Sequence, residues 1–133
     1  MIYLRIRLTV LSGLALIALL PGCASTNYHY SELLGERYFR ANMDTYPVFI
    51  REVDRKGYTG RAPVLVEPGR HILLVQGPAT RVDTYETREF VLDVAPCARY
   101  YIVAEKTSRL EAGFTVKVDF QEPLAGCTPP PAK

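Results

Sequence analysis

Near its C-terminal end the chain reads Phe114-Thr115-Val116-Lys117-Val118-Asp119-Phe120, apolar and polar in strict alternation. Successive side chains of a β-strand point to opposite faces, so this run puts its apolar residues on one face and its polar residues on the other. A helix would scatter the same residues around its circumference. Other segments repeat the pattern. In Arg88-Glu89-Phe90-Val91-Leu92-Asp93-Val94, Phe90, Leu92 and Val94 point one way while Glu89 and Asp93 point the other. From Tyr46, Val48 and Ile50 share one face and Phe49, Arg51 and Val53 the other. Arg99-Tyr100-Tyr101-Ile102-Val103-Ala104 is aromatic and β-branched, which suits a strand. Tyr100 and Tyr101 are adjacent, so at most one of them can be core.

Turn signals separate these runs. Asp54-Arg55-Lys56-Gly57 reads as a turn with Gly57 supplying a positive φ. Ala62-Pro63-Val64-Leu65-Val66 reads as a short strand whose Pro63 suits a strand start or an edge. In Glu67-Pro68-Gly69-Arg70 the central Pro-Gly pair marks a type II turn. His71-Ile72-Leu73-Leu74-Val75 is continuously apolar after the histidine, the mark of a central strand covered on both faces. Ala95-Pro96 breaks the chain again, and the closing Thr128-to-Lys133 segment is Pro-rich and reads as a solvated tail. Six or seven short strands and no long helical period predict an all-β chain folded as a small antiparallel β-sandwich over residues 46–127. Residues 23–45 show no such period. Ser31 could cap one helical turn, with Glu32 suited to its dipole and Gly35 limiting its length, so this stretch is expected to be an irregular N-terminal segment.

The first 22 residues belong to something else. Arg5 and Arg7 lie in a short positive segment, and Leu8 to Leu20 carries no charge before Pro21-Gly22. That layout is a secretory signal, since a spanning helix needs about 20 apolar residues. Leu20-Pro21-Gly22-Cys23 resembles the lipobox of bacterial lipoproteins, with Leu three residues before the cysteine and Gly one before it. The resemblance implies cleavage before Cys23 and a covalent lipid on its sulfur, which is the only cofactor-like group expected. Two or three acyl chains hold a protein firmly where one does not. Ala24 stands where that family's inner-membrane retention signal has Asp, so the expected location is the outer membrane, facing the periplasm.

Removing residues 1–22 from the 133 leaves a single-domain length. The net charge of +2 leaves with Arg5 and Arg7, so the mature chain is near neutral. A basic nucleic-acid footprint is therefore not expected. With Cys23 assigned to lipid, Cys97 and Cys127 remain, in a compartment where disulfides persist. A Cys97–Cys127 bond is expected. Two free thiols or a metal pair are the alternatives, and no Cys-x-x-Cys or nearby His supports the metal.

Glu52-Val53-Asp54-Arg55-Lys56-Gly57, then Pro63, then Glu67-Pro68-Gly69-Arg70-His71 resembles the PEGA-type repeat. Its usual Asp-Gly turn is here split by Arg55-Lys56. The ends Ala95-Pro96-Cys97 with Arg99-Tyr100-Tyr101, and Ala125-Gly126-Cys127, look similar to small proteobacterial lipoproteins. The resemblance implies an immunoglobulin-like sandwich acting as a non-catalytic module, and it supplies no catalytic residues.

Chemistry-bearing residues are sparse. His29 and His71 lack metal-type spacing to another His, Cys or acid, and no serine sits in Gly-x-Ser-x-Gly. No metal site, catalytic residue or enzyme activity is expected. Tyrosines stand out instead: Tyr28, Tyr30, Tyr38 and Tyr46 crowd the start of the mature chain. Tyrosine gives large contact area at small entropic cost, so Tyr28, Tyr30 and Tyr38 form a candidate binding surface. The same rings can instead simply seal a sandwich edge, which is the preferred reading. The function expected is a membrane-anchored envelope lipoprotein, a protein-interaction or structural module. The alternative is a glycan or peptidoglycan binder using exposed tyrosines.

Overall fold

Alternating residues fold into two sheets packed face to face in the computed structural model. It describes residues 28–37, 42–79, 84–108, 113–129 and 131. The signal segment, Cys23, Tyr38 and the very end of the Pro-rich tail lie outside the described residues. The strands are β1 (Ser31–Leu34), β2 (Thr45–Pro47), β3 (Phe49–Val53), β4 (Lys56–Gly57), β5 (Val64–Val66), β6 (Gly69–Gln76), β7 (Thr87–Val94), β8 (Ala98–Glu105) and β9 (Thr115–Pro123). An all-β sandwich was expected and is found, with nine strands among the described residues in place of six or seven.

One sheet has the order β4-β3-β6-β7. The other is built on β8. One side of β8 pairs with β9 along its whole length. The other side is shared: β1 takes its first half in parallel, and β2 its second half antiparallel. β5 then extends the sheet beyond β1. The β1–β8 pair is the one parallel pairing among the described strands. Val48 lies between β2 and β3, where the chain passes from one sheet to the other, and its N–H donates to the Gly35 carbonyl at 2.7 Å. A Cβ on Gly35 would sit 2.0 Å from the Val48 carbonyl oxygen, which is why this crossing has glycine.

Inner faces supply the core. Leu33, Leu73, Val75 and Ile102 are wholly enclosed, with Ile50, Val53, Val64, Val66, Leu92, Val94 and Tyr100 around them. As alternation requires, Tyr100 points inward while Tyr101 lies on the outer face. Phe90, Leu92 and Val94 also share the inner face as expected.

Five expectations are corrected. Val53 shares the inner face with Ile50 instead of opposing it, because an extra residue in β3 between Ile50 and Glu52 shifts the alternation. Ser31–Leu34 is a strand in mid-sheet, not an irregular stretch or a capped helical turn. The Ser31 hydroxyl donates to the Ala95 carbonyl at 2.6 Å and accepts from the Ala98 N–H at 3.1 Å, so it ties β1 to the β7–β8 corner. The positive φ in the first turn falls on Asp54 (49°) and Arg55 (70°), while Gly57 lies in β4. Asp tolerates this conformation because its short side chain bonds locally, and here it accepts the Ile72 N–H at 2.9 Å. β6 is central, as its apolar run implied, but only one face is covered: Ile72 is 52% exposed. Finally, Phe120 does not share the face of Val116 and Val118. Tyr101 pairs with Phe120 and Ile102 with Val118, so a bulge at Asp119 turns Phe120 outward.

Candidate functional site

The end of the sandwich where the chain enters is built from four pieces. Tyr28-His29-Tyr30 leads into β1, the β5–β6 turn supplies Glu67, the β7–β8 corner supplies Cys97, and the chain leaving β9 supplies Cys127. The Cys97–Cys127 disulfide is present, with Cα atoms 5.5 Å apart and a sequence separation of 30. It closes the open end of the β8–β9 hairpin, where Ala98 pairs with Pro123. Cys97 adopts φ 54°, which lets a three-residue corner pass from β7 in one sheet to β8 in the other. The Leu124 N–H donates to the Cys97 carbonyl at 2.8 Å, and the Thr128 N–H to the Tyr28 carbonyl at 2.9 Å. Both ends of the domain therefore meet here.

Of the three candidate tyrosines, two are brought together. The Tyr28 and Tyr30 rings meet edge to face at 6.0 Å, and His29 stacks on Tyr30 at 4.4 Å. Both rings are half-buried. The His29 Nε2 lies 3.0 Å from a Glu67 carboxylate oxygen. The Tyr28 hydroxyl donates to Glu32 at 3.3 Å, and partial burial followed by that carboxylate pushes its pKa up. Glu32 also accepts from Arg99 at 2.8 Å, and Arg99 donates to Glu122 at 3.1 Å. Tyr101 completes the row by donating to Glu122 at 2.9 Å. Hydrogen bonds from Tyr101, then Arg99, hold the Glu122 carboxyl below its usual range. This outer face of the β8 sheet is thus internally paired, charge against charge. Beside it the Arg37 guanidinium covers Phe120 at 4.2 Å from the ring centre.

His71 has a structural arrangement that its spacing did not suggest. Its Nδ1 lies 2.6 Å from Asp54 Oδ2 and its Nε2 2.7 Å from the Glu67 carbonyl oxygen. Both neighbours are acceptors, so both ring nitrogens donate and the imidazolium is the matched form. Burial lowers the His71 pKa, but the bonds to Asp54 and Glu67 outweigh it and raise it above 6.5. The bond from Ile72 N–H, then that from His71, lowers the Asp54 pKa. A raised histidine adds stability that is complete below its unfolded value, near 6.5, and is lost as pH rises through the higher folded value. A lowered carboxyl adds stability above its unfolded value, near 3.8, that is lost as pH falls. Thermal unfolding should therefore show a plateau between about pH 4.5 and 6 and a decline on the alkaline side. An Asp54→Asn variant should flatten that alkaline decline. An unchanged slope in the variant would contradict this assignment.

Among the described residues no group of three His, Cys, Asp or Glu side chains is placed to hold a metal ion. Every buried side-chain nitrogen and oxygen among them has a hydrogen-bond partner.

One surface was not singled out from sequence. On the outer face of the β6 sheet, Ile72 pairs with Val91 and Leu74 with Glu89. Ile72 and Val91 are 52% and 48% exposed. The signal was available in β7, where Val91 interrupts an otherwise charged face between Glu89 and Asp93. Compared with family models, curated proteins and solved structures, the chain matches none of them.

Proposed function

We propose that this chain is a lipid-anchored, non-catalytic module of the bacterial cell envelope that engages another envelope protein or serves a structural role there. What supports the reading is the way the chain enters the fold. Tyr28 is five positions after Cys23 and is bonded to the departing C-terminal segment through Thr128. Five extended residues reach at most about 18 Å. A lipid on Cys23 would therefore hold the disulfide end close to the membrane surface. The last residues of β6 and β8 and the first of β7 and β9 lie at the opposite end of the strands and would face the periplasm. The half-buried, hydrogen-bonded state of Tyr28 favours a sealing role for these rings over an open glycan platform.

The test is a Cys23→Ala variant followed by fractionation. The unmodified chain should pellet with outer membranes, and the variant should be almost wholly soluble. A variant that still pellets removes the anchor from the account. Affinity capture after crosslinking of intact envelopes should then return a specific protein. Cosedimentation with purified sacculi, if abolished by Tyr28→Ala and Tyr30→Ala, would transfer the function to glycan binding.

A further inference from the structure

β7 is the edge of its sheet: β6 flanks one side, and among the described residues no strand flanks the other. Two backbone bonds show which of its groups face that open side. The Gly77 N–H donates to the Glu86 carbonyl, directly opposite it, at 3.0 Å. In an antiparallel pair such bonded positions recur every second residue. The partners Arg88, Phe90, Leu92 and Val94 thus direct their N–H and C=O groups to β6. Thr87, Glu89, Val91 and Asp93 direct theirs outward. The Asp54 N–H bond to the Ile72 carbonyl on the other side of β6, at 2.9 Å, fixes the same alternation.

An edge of free backbone groups is a template for another strand, and folds guard such edges with bulges, proline or charged side chains. The matching edge of the other sheet, β9, carries a bulge at Asp119 and ends at Pro123. β7 has neither bulge nor proline: it pairs with β6 in register over all eight residues, and its only guards are the charges of Arg88, Glu89 and Asp93, which a strand of opposite charge would neutralise. Its outward side chains read Glu89, Val91, Asp93, acid then apolar then acid, with Asp93 in a loose, exposed ion pair with Arg70 of β6 at 3.8 Å. Val91 continues the exposed strip begun by Ile72. On an antiparallel neighbour, directly opposed residues share a face and interact. The complementary strand therefore reads basic, apolar, basic.

We propose that the β7 edge accepts an extended segment of a partner protein as a fifth strand, selected by cationic residues opposite Glu89 and Asp93 around an apolar residue opposite Val91. A second copy of this chain fits less well than a cationic strand, since no register places a basic residue opposite Glu89 or Asp93 on this face. Symmetric pairing centred on Val91, with both cores on the same side, sets Glu89 against Asp93 twice, and like charges directly opposed are destabilising. Shifting by two residues either way leaves the acids facing Val91, Thr87 or Ala95. The inference deepens the interaction reading above. It does not depend on the lipid: fractionation reads the anchor and amide exchange reads the edge, so either can fail alone.

The probe is a capped nonapeptide, Thr-Val-Lys-Val-Val-Val-Lys-Val-Thr, added to the full chain in detergent, with amide exchange followed by NMR. Without peptide, the N–H groups of Glu89, Val91 and Asp93 should exchange at least about tenfold faster than those of Phe90, Leu92 and Val94. With peptide they should slow by about tenfold or more, while Leu73 is unchanged. A peptide with both lysines replaced by glutamate should give no slowing. A Glu89→Lys/Asp93→Lys variant should reverse the preference between the two peptides. Absence of slowing at millimolar lysine peptide would overturn the proposal, as would equal slowing by the glutamate peptide. The two-peptide comparison on the unaltered chain decides the matter even if the double variant fails to fold.

Discussion

Reducing the Cys97–Cys127 bond, or replacing both cysteines by alanine, is expected to cost the domain about 3–4 kcal/mol. The figure follows from the 30-residue separation of the two cysteines, because the cross-link removes that loop's closure entropy from the unfolded chain. The folded state gives a second reason. The bond lies where the β8–β9 hairpin would otherwise be open and where the segments entering β1 and leaving β9 meet through Tyr28 and Thr128. Loss of the bond should therefore loosen the entry of the chain as well as lower global stability. In urea, the midpoint of the reduced protein should fall by about 1.5–3 M relative to the oxidised one. Coincident midpoints would show that the bond contributes nothing.

The second large effect is expected at Leu33. Truncation to alanine should destabilise by about 2–5 kcal/mol, the range for emptying a fully enclosed leucine site. Leu33 has no exposed surface, and its strand is flanked by β5 on one side and β8 on the other. The site is rigid, because Ser31 two residues earlier is tied to Ala95 and Ala98. Had residues 31–34 been an irregular tether, the same substitution would fall within about 0.5 kcal/mol of no effect. Chemical denaturation of Leu33→Ala therefore separates the two descriptions cleanly.

That contrast shows where sequence reasoning stops. Period-two patterning identified β7 and β9 because each has at least eight residues in which an alternation can be seen, while β8 was legible from its run of aromatic and β-branched residues. β1 has four, and Ser-Glu-Leu-Leu alternates in no visible way. Its inward serine is polar because the β7–β8 corner has a backbone N–H and a carbonyl to satisfy, a demand set by residues far along the chain. Phe120 shows the opposite failure. Its alternation is perfect in sequence, yet the bulge at Asp119 breaks the register and turns the ring outward beneath Arg37. Ile72 was assigned to a covered strand because continuous apolar runs mark two-sided burial, but this fold has only two layers. The disulfide was readable by counting cysteines once Cys23 was set aside. The candidate tyrosines were readable as residues but not as partners, since the proximity of Glu32, Glu67 and Arg99 depends on strand pairing. The open edge of β7 could not be read at all, because which strand ends a sheet is a property of topology.

Cys23 carries the proposed anchoring. Intact-mass analysis of the protein extracted from membranes, with fragmentation from its N-terminus, addresses it directly. A chain beginning at Cys23 and carrying a thioether-linked diacylglycerol is the result this account requires. A chain that retains residues 1–22, or one with an unmodified Cys23, would contradict it.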